Sequence, residues 1–186
     1  MKALLIRVGV CLMCVIAATA LGQDKRADST GQLIERKYDR FKDETTVKLK
    51  PQRVLDSRSP RQVLEMSAEA TFKGERPRQD DETVKVTFTS LAGENPYQEP
   101  LELNFIVDGE RVRGAAAGVG IPYNPKASPT PDLKVARDIT AFVSLVALSK
   151  VASGKAVEMR LGPTELTLDM ATLGNLRKFA SAVLNK

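Results

Sequence analysis

Leu64-Glu65-Met66-Ser67-Ala68-Glu69-Ala70-Thr71-Phe72-Lys73 alternates apolar and polar side chains without a break. Successive residues of a strand point to opposite faces of a sheet, so this stretch predicts a strand with one face in a core and the other in water. A helix of 3.6 residues per turn would scatter the same apolar set around its circumference. The pattern recurs outward from there. Val84, Val86 and Phe88 alternate with Lys85, Thr87 and Thr89, and Leu101, Leu103, Phe105 and Val107 repeat it once more. Thr45 to Leu55 reads as a further strand, in which Pro51 removes a backbone donor and points to a sheet edge or a bulge. Order is expected to begin near Leu33.

The connections carry matching signals. Asp108-Gly109 lies between two extended runs and predicts a two-residue hairpin loop, because both central positions require a positive φ. Breaker-rich links are expected at Arg58-Ser59-Pro60, Gly74 to Asp81 and Gly93-Glu94-Asn95-Pro96, and Gly114 to Pro131 reads as the longest irregular stretch. The last third changes character. Val135 to Val143 fits a strand, Ser144 caps a short helix over Leu145–Ala152, and Gly154 stops it. Val157, Met159 and Leu161 alternate again, Gly162-Pro163 turns the chain, and Thr164 to Leu168 returns. Asp169 or Thr172 opens a final helix whose Leu173, Leu176, Phe179, Ala180, Val183 and Leu184 share one face. The expectation is a mainly β fold: an antiparallel β-sandwich or partly open barrel, with a short helix and one longer C-terminal helix packed on the sheet. Residues 33–186 read as a single β-rich domain without internal repeats.

The N-terminus has another logic. Lys2 and Arg7 precede the apolar or small run Val8 to Gly22, which ends Ala17-Ala18-Thr19-Ala20-Leu21-Gly22 before the polar Gln23-Asp24-Lys25-Arg26. That is the order of a secretion signal, assigning 1–22 to a cleaved leader and 23–32 to a flexible arm. The run falls short of the roughly 20 residues of a membrane span, which argues against retention as an anchor. Cys11 and Cys14 lie inside the run, so lipid attachment is not expected and the exported portion carries no thiol. The whole chain also has no His and no Trp. Cysteine-based metal sites, thiol catalysis and Ser-His-Asp or Cys-His mechanisms fall away with them. The formal net charge of +5 drops by two when Lys2 and Arg7 leave with the leader. Basic residues are densest from Lys25 to Arg61, where eleven Lys and Arg meet six acids. That density suits either an anionic surface or a solvated face. Nucleic-acid binding is not expected from so mild a charge.

Tyr38-Asp39-Arg40-Phe41-Lys42-Asp43-Glu44-Thr45-Thr46-Val47, together with Lys155-Ala156-Val157-Glu158-Met159-Arg160-Leu161-Gly162-Pro163-Thr164-Glu165-Leu166 and the helix after it, resembles a loose group of uncharacterised exported bacterial proteins. These open with Tyr-Asp-x-Phe-Lys-Asp-x-Thr-x-Val and close with Val-Glu-x-x-Leu-Gly-Pro-x-Glu. The resemblance implies an exported β-rich domain and brings no catalytic residue, metal or cofactor.

Tyr38, Asp39, Phe41, Lys42 and Asp43 form the candidate interaction surface. The same residues also read as two aromatic plugs starting the core, with charges bridging to solvent, and packing makes that the simpler account. Without His or Cys, hydrolysis would need paired carboxylates. Asp39, Asp43, Glu44, Asp80, Asp81, Glu82, Asp108, Asp138, Glu158, Glu165 and Asp169 are available, although Asp108 suits a turn, Asp169 a cap, and Asp80 to Glu82 a solvated loop without calcium-loop spacing. Gly118-Val119-Gly120 lacks the surroundings of a phosphate loop. Arg160 and Glu165 should face each other across the Gly-Pro turn. The functional expectation is an exported, non-catalytic binding or structural module of the bacterial envelope, periplasmic or secreted, meeting an envelope protein or an anionic surface. It would not be an integral membrane protein once the leader is removed. A carboxylate-dependent hydrolase and a carrier of a small apolar ligand are the alternatives.

Overall fold

The computed structural model describes residues 32–58, 61–77, 83–94, 96–120 and 135–184. The expected leader at 1–22, nearly all of the arm at 23–32, the Ser59-Pro60 link and the Asp80-Asp81-Glu82 cluster lie outside the described residues. Among the described residues nine strands and two helices follow in order: β1 (Ile34–Asp39), β2 (Glu44–Arg58), β3 (Arg61–Lys73), β4 (Thr83–Ala92), β5 (Leu101–Val107), β6 (Glu110–Val119), β7 (Val135–Ser144), α1 (Leu145–Ser153), β8 (Val157–Leu161), β9 (Thr164–Thr167) and α2 (Met170–Leu184). The strands form one sheet in the order β1-β2-β3-β4-β7-β6-β5-β8-β9, every neighbouring pair antiparallel. It curls into a half-barrel, so of the two architectures expected the partly open barrel is the one that forms.

The alternation decides which face is buried. Leu64, Met66, Ala68, Ala70 and Phe72 of β3 are at most 4% exposed, while Glu65, Ser67, Glu69 and Thr71 face outward. Val84, Val86 and Phe88 continue the core across β4, and Ile139, Ala141 and Val143 across β7. Irregular registers bend the sheet: β2 slips against β3 between Leu49 and Gln52, around Pro51, and β5 slips against β6 between Leu103 and Phe105. An extra residue on one strand bends it and increases the local twist, which is how a sheet begins to close. Within the second irregularity Gly114 is required. A Cβ there would stand 1.4 Å from the Leu103 carbonyl oxygen, so no side chain fits.

Both helices cover the core face. Ser144 caps α1, its hydroxyl accepting from Ala147 N at 3.2 Å, and Asp169 caps α2, its carboxylate accepting from Thr172 N at 2.6 Å. Leu173, Leu176, Phe179 and Val183 of α2 are essentially fully buried, each worth about 1.5–3 kcal/mol over exposure. Across the helix pair, Arg177 of α2 donates to the carbonyls of Ala152 and Gly154, both at 2.7 Å, satisfying the free C-terminal end of α1. Among the described residues no helix is long and apolar enough to cross a membrane.

Two sequence expectations require correction. Gly114–Val119 is not loop but the second half of β6, and residues 121–131 of the stretch lie outside the described residues. Its run of Ala and Gly carries no period-two contrast, and only pairing with β5 and β7 makes it a strand. Second, the aromatic residues are not mainly core residues at the N-terminal hairpin: Tyr38 is 43% and Phe41 87% exposed.

Candidate interaction surface

Tyr38, Asp39, Phe41, Lys42 and Asp43 come together at the tip of the β1–β2 hairpin. Tyr38 pairs with Thr45 and Asp39 with Glu44, leaving Arg40 to Asp43 as the loop. The loop is built from its own polar atoms. The Asp39 carboxylate accepts from the backbone N–H of Phe41 at 2.9 Å and of Lys42 at 3.3 Å. The Tyr38 hydroxyl donates to the Asp43 carboxylate at 2.8 Å, and that bond, followed by desolvation, raises the hydroxyl above the ordinary tyrosine value. Asp43 takes a left-handed backbone at φ 49°, a conformation Asp tolerates better than most residues. Its carbonyl accepts from Gly74 N at 2.8 Å, while the Lys73 ammonium donates to the Lys42 carbonyl at 3.1 Å. The tip is thus tied to the end of β3.

Asp39 and Asp43 are therefore both used inside the turn, whereas the apolar group is not. Phe41 turns away from the sheet, with the Arg40 guanidinium 5.0 Å from its ring centroid. The plug reading fails for a plain geometric reason. The core face of β1 belongs to Ile34, Arg36 and Tyr38, and it is Arg36 that bends over Phe72, 5.7 Å from the ring centroid. Phe41 is in the loop and has no core position to occupy.

A second feature was missed from sequence. A groove of about 400 Å³ lies on the outer face where β5, β8 and β9 run side by side. Ile106, Asn104, Arg111, Glu102, Glu158, Arg160 and Glu165 are among the residues lining it. Arg160 faces Glu165 as expected, at 3.7 Å. Glu102 accepts from Asn104 at 3.2 Å. The three glutamates are exposed, so no apolar wall desolvates one carboxyl against another. The signal for this groove was the Glu158/Arg160/Glu165 spacing, legible only once β5 was known to pair with β8 rather than with a neighbour in sequence.

Asp108 and Asp138, two further candidate carboxylates, have structural partners. Asp108, at φ 50° in the β5–β6 turn, accepts from Lys155 N at 2.9 Å and Ala156 N at 2.8 Å. Asp138 accepts from the Thr89 hydroxyl at 2.8 Å. Among the described residues, no group of three or more acidic side chains is close enough to hold a metal ion. Comparison with known proteins found no matching family model, no matching curated protein and no matching solved structure.

Proposed function

We propose that the chain is an exported, non-catalytic binding module of the bacterial envelope, and that it meets a protein partner through the tip of the β1–β2 hairpin. The observation that carries this reading is Phe41, 87% exposed on a turn held by internal hydrogen bonds. A large apolar side chain on an ordered loop costs solubility and contributes nothing to the fold, and at an interface it is the kind of group that anchors binding. The leader sequence and the resemblance support export. The carboxylate alternative draws little from glutamates that stand in water. The carrier alternative draws little from a sheet–helix interface filled by Leu173, Leu176, Phe179 and Val183. Photo-crosslinking in living cells tests the reading, with a photoreactive residue at position 41 and a control at the exposed position 178. A discrete protein adduct specific to position 41, in the periplasmic or secreted fraction, is expected. Adducts to lipid alone, equal adducts from both positions, or retention in the cytoplasm would overturn it.

A further inference from the structure

The sheet ends on β9, and among the described residues no strand pairs with its outer edge. β9 pairs only with β8, through Glu158↔Thr167, Met159↔Leu166, Arg160↔Glu165 and Leu161↔Thr164. Leu168 N donates to Val157 O at 2.9 Å, which turns the N–H groups of Leu168, Leu166 and Thr164 toward β8. Backbone groups alternate along a strand, so Glu165 and Thr167 direct their N–H and C=O outward. The opposite edge strand, β1, also pairs with a single neighbour, β2, and differs in what packs against it. β1 is packed by α2, and Arg36 reaches from it to the carbonyls of Ala182 and Glu75. β9 packs extensively on β8 alone.

The groove borders this edge on the outer face. Glu165 points its side chain there, 73% exposed, with Arg160 as a distant ion-pair partner at 3.7 Å. The Glu158 carboxylate, one strand further in, has no hydrogen bond or ion pair among the described residues. We propose that β9 accepts an extended peptide as a tenth strand, and that the peptide carries a lysine or arginine opposite Glu165. The two outward N–H and two outward C=O groups supply the main-chain ladder. The side chain opposite Glu165 falls on the same outer face, its Cβ about 5 Å away, where an opposite charge is favoured. A long basic side chain there can lean over the groove toward Glu158. This site is separate from the hairpin tip, and either can fail without the other.

The test is a titration of the isotope-labelled chain, followed by amide NMR, with acetyl-Val-Thr-Lys-Thr-Val-amide and with the same peptide carrying Glu for Lys. Shifts centred on Thr164–Thr167 are expected, with the Lys peptide bound about tenfold more tightly. Glu165→Gln should level the two peptides. Thr167→Pro removes an outward N–H that the fold does not use, so it should abolish binding and leave the rest of the spectrum in place. No shifts up to about 5 mM peptide, equal affinity for the two peptides, or shifts centred on residues 38–43 would overturn the proposal. So would full binding by Thr167→Pro. Should that variant fail to fold, Glu165→Gln alone decides the matter.

Discussion

Tyr97 is the residue whose alteration tests the fold most sharply. It lies in the crossover from β4 to β5, is 0% exposed, and ties three strands of the sheet together. Its hydroxyl accepts from the Gln62 side-chain amide at 2.9 Å on β3 and is 2.8 Å from the Thr164 hydroxyl on β9. Its carbonyl accepts from Arg137 of β7 at 3.0 Å. Tyr97→Phe keeps the ring and removes the hydroxyl. Two hydrogen bonds at about 1 kcal/mol each are lost, and the buried Gln62 amide loses this partner, so a total near 2–3 kcal/mol is expected. Urea unfolding measures it: with an unchanged slope of about 2 kcal/mol/M, the midpoint should fall by about 1 M. Thr164→Val should show a coupling of about 1 kcal/mol with Tyr97→Phe in a double-mutant cycle. Burial also holds the Tyr97 hydroxyl above its ordinary 10.0, so the folded chain keeps a proton that the unfolded chain releases. Its contribution is whole below about pH 10 and declines as pH rises through the folded value. Tyr97→Phe should flatten this alkaline limb without removing it, because Tyr38 is shifted the same way. A loss below about 0.5 kcal/mol, or an alkaline limb unchanged by the variant, would refute the reasoning.

Gly114→Ala places a methyl on the Leu103 carbonyl and forces β5 and β6 apart, so a loss of about 4 kcal/mol or more is expected, seen as failure to recover folded protein. Asp169→Ala removes the α2 cap and should cost about 1 kcal/mol in denaturant unfolding. The backbone N–H of Thr172 lowers the Asp169 carboxyl, so the wild-type advantage should be present above pH 3.8 and vanish as pH falls through the folded value. Arg177→Ala unties the two carbonyls ending α1 and should cost about 2 kcal/mol, with faster amide exchange at Ala152 and Gly154 as the accompanying readout. Phe41→Ala should leave the unfolding free energy within about 0.5 kcal/mol of wild type, which separates the proposed binding role from any packing role.

The strands were legible wherever apolar and polar side chains took turns, because burial on one face writes that period into the sequence. β3, β4, β5 and β8 show it plainly, and the caps Ser144 and Asp169 announce their helices because only a few side chains satisfy free N–H groups. β6 was not legible past Arg113. Ala115, Ala116, Ala117 and Gly118 offer no contrast between faces, and the information that makes them a strand lies in β5 and β7. Sheet order was hidden for a similar reason. A local pattern says that a strand exists, whereas the jump from β4 to β5 and the return of β7 against β4 are settled by which closure buries Phe88 and Ile139 together.

The hairpin tip shows the limit more sharply. Residue types brought Tyr38, Asp39, Phe41, Lys42 and Asp43 into one group, and the chain does bring them together, but the direction of Phe41 depends on a single backbone detail. With Asp39 accepting from the amides of Phe41 and Lys42, and Asp43 in the left-handed region, the loop closes in four residues, and Phe41 stands away from the core. Had β1 continued through Phe41 as a strand, period two from Ile34, Arg36 and Tyr38 would have assigned Phe41 to the outer face as well. Either path leads outward, so a plug was open to Phe41 only if the chain shifted by one residue, and the Tyr38–Asp43 bond opposes that shift. The exposed ring is therefore a consequence of the turn chemistry that Asp39 and Asp43 supply. Substituting those two acids should disturb the proposed binding at the tip even though neither need touch the partner.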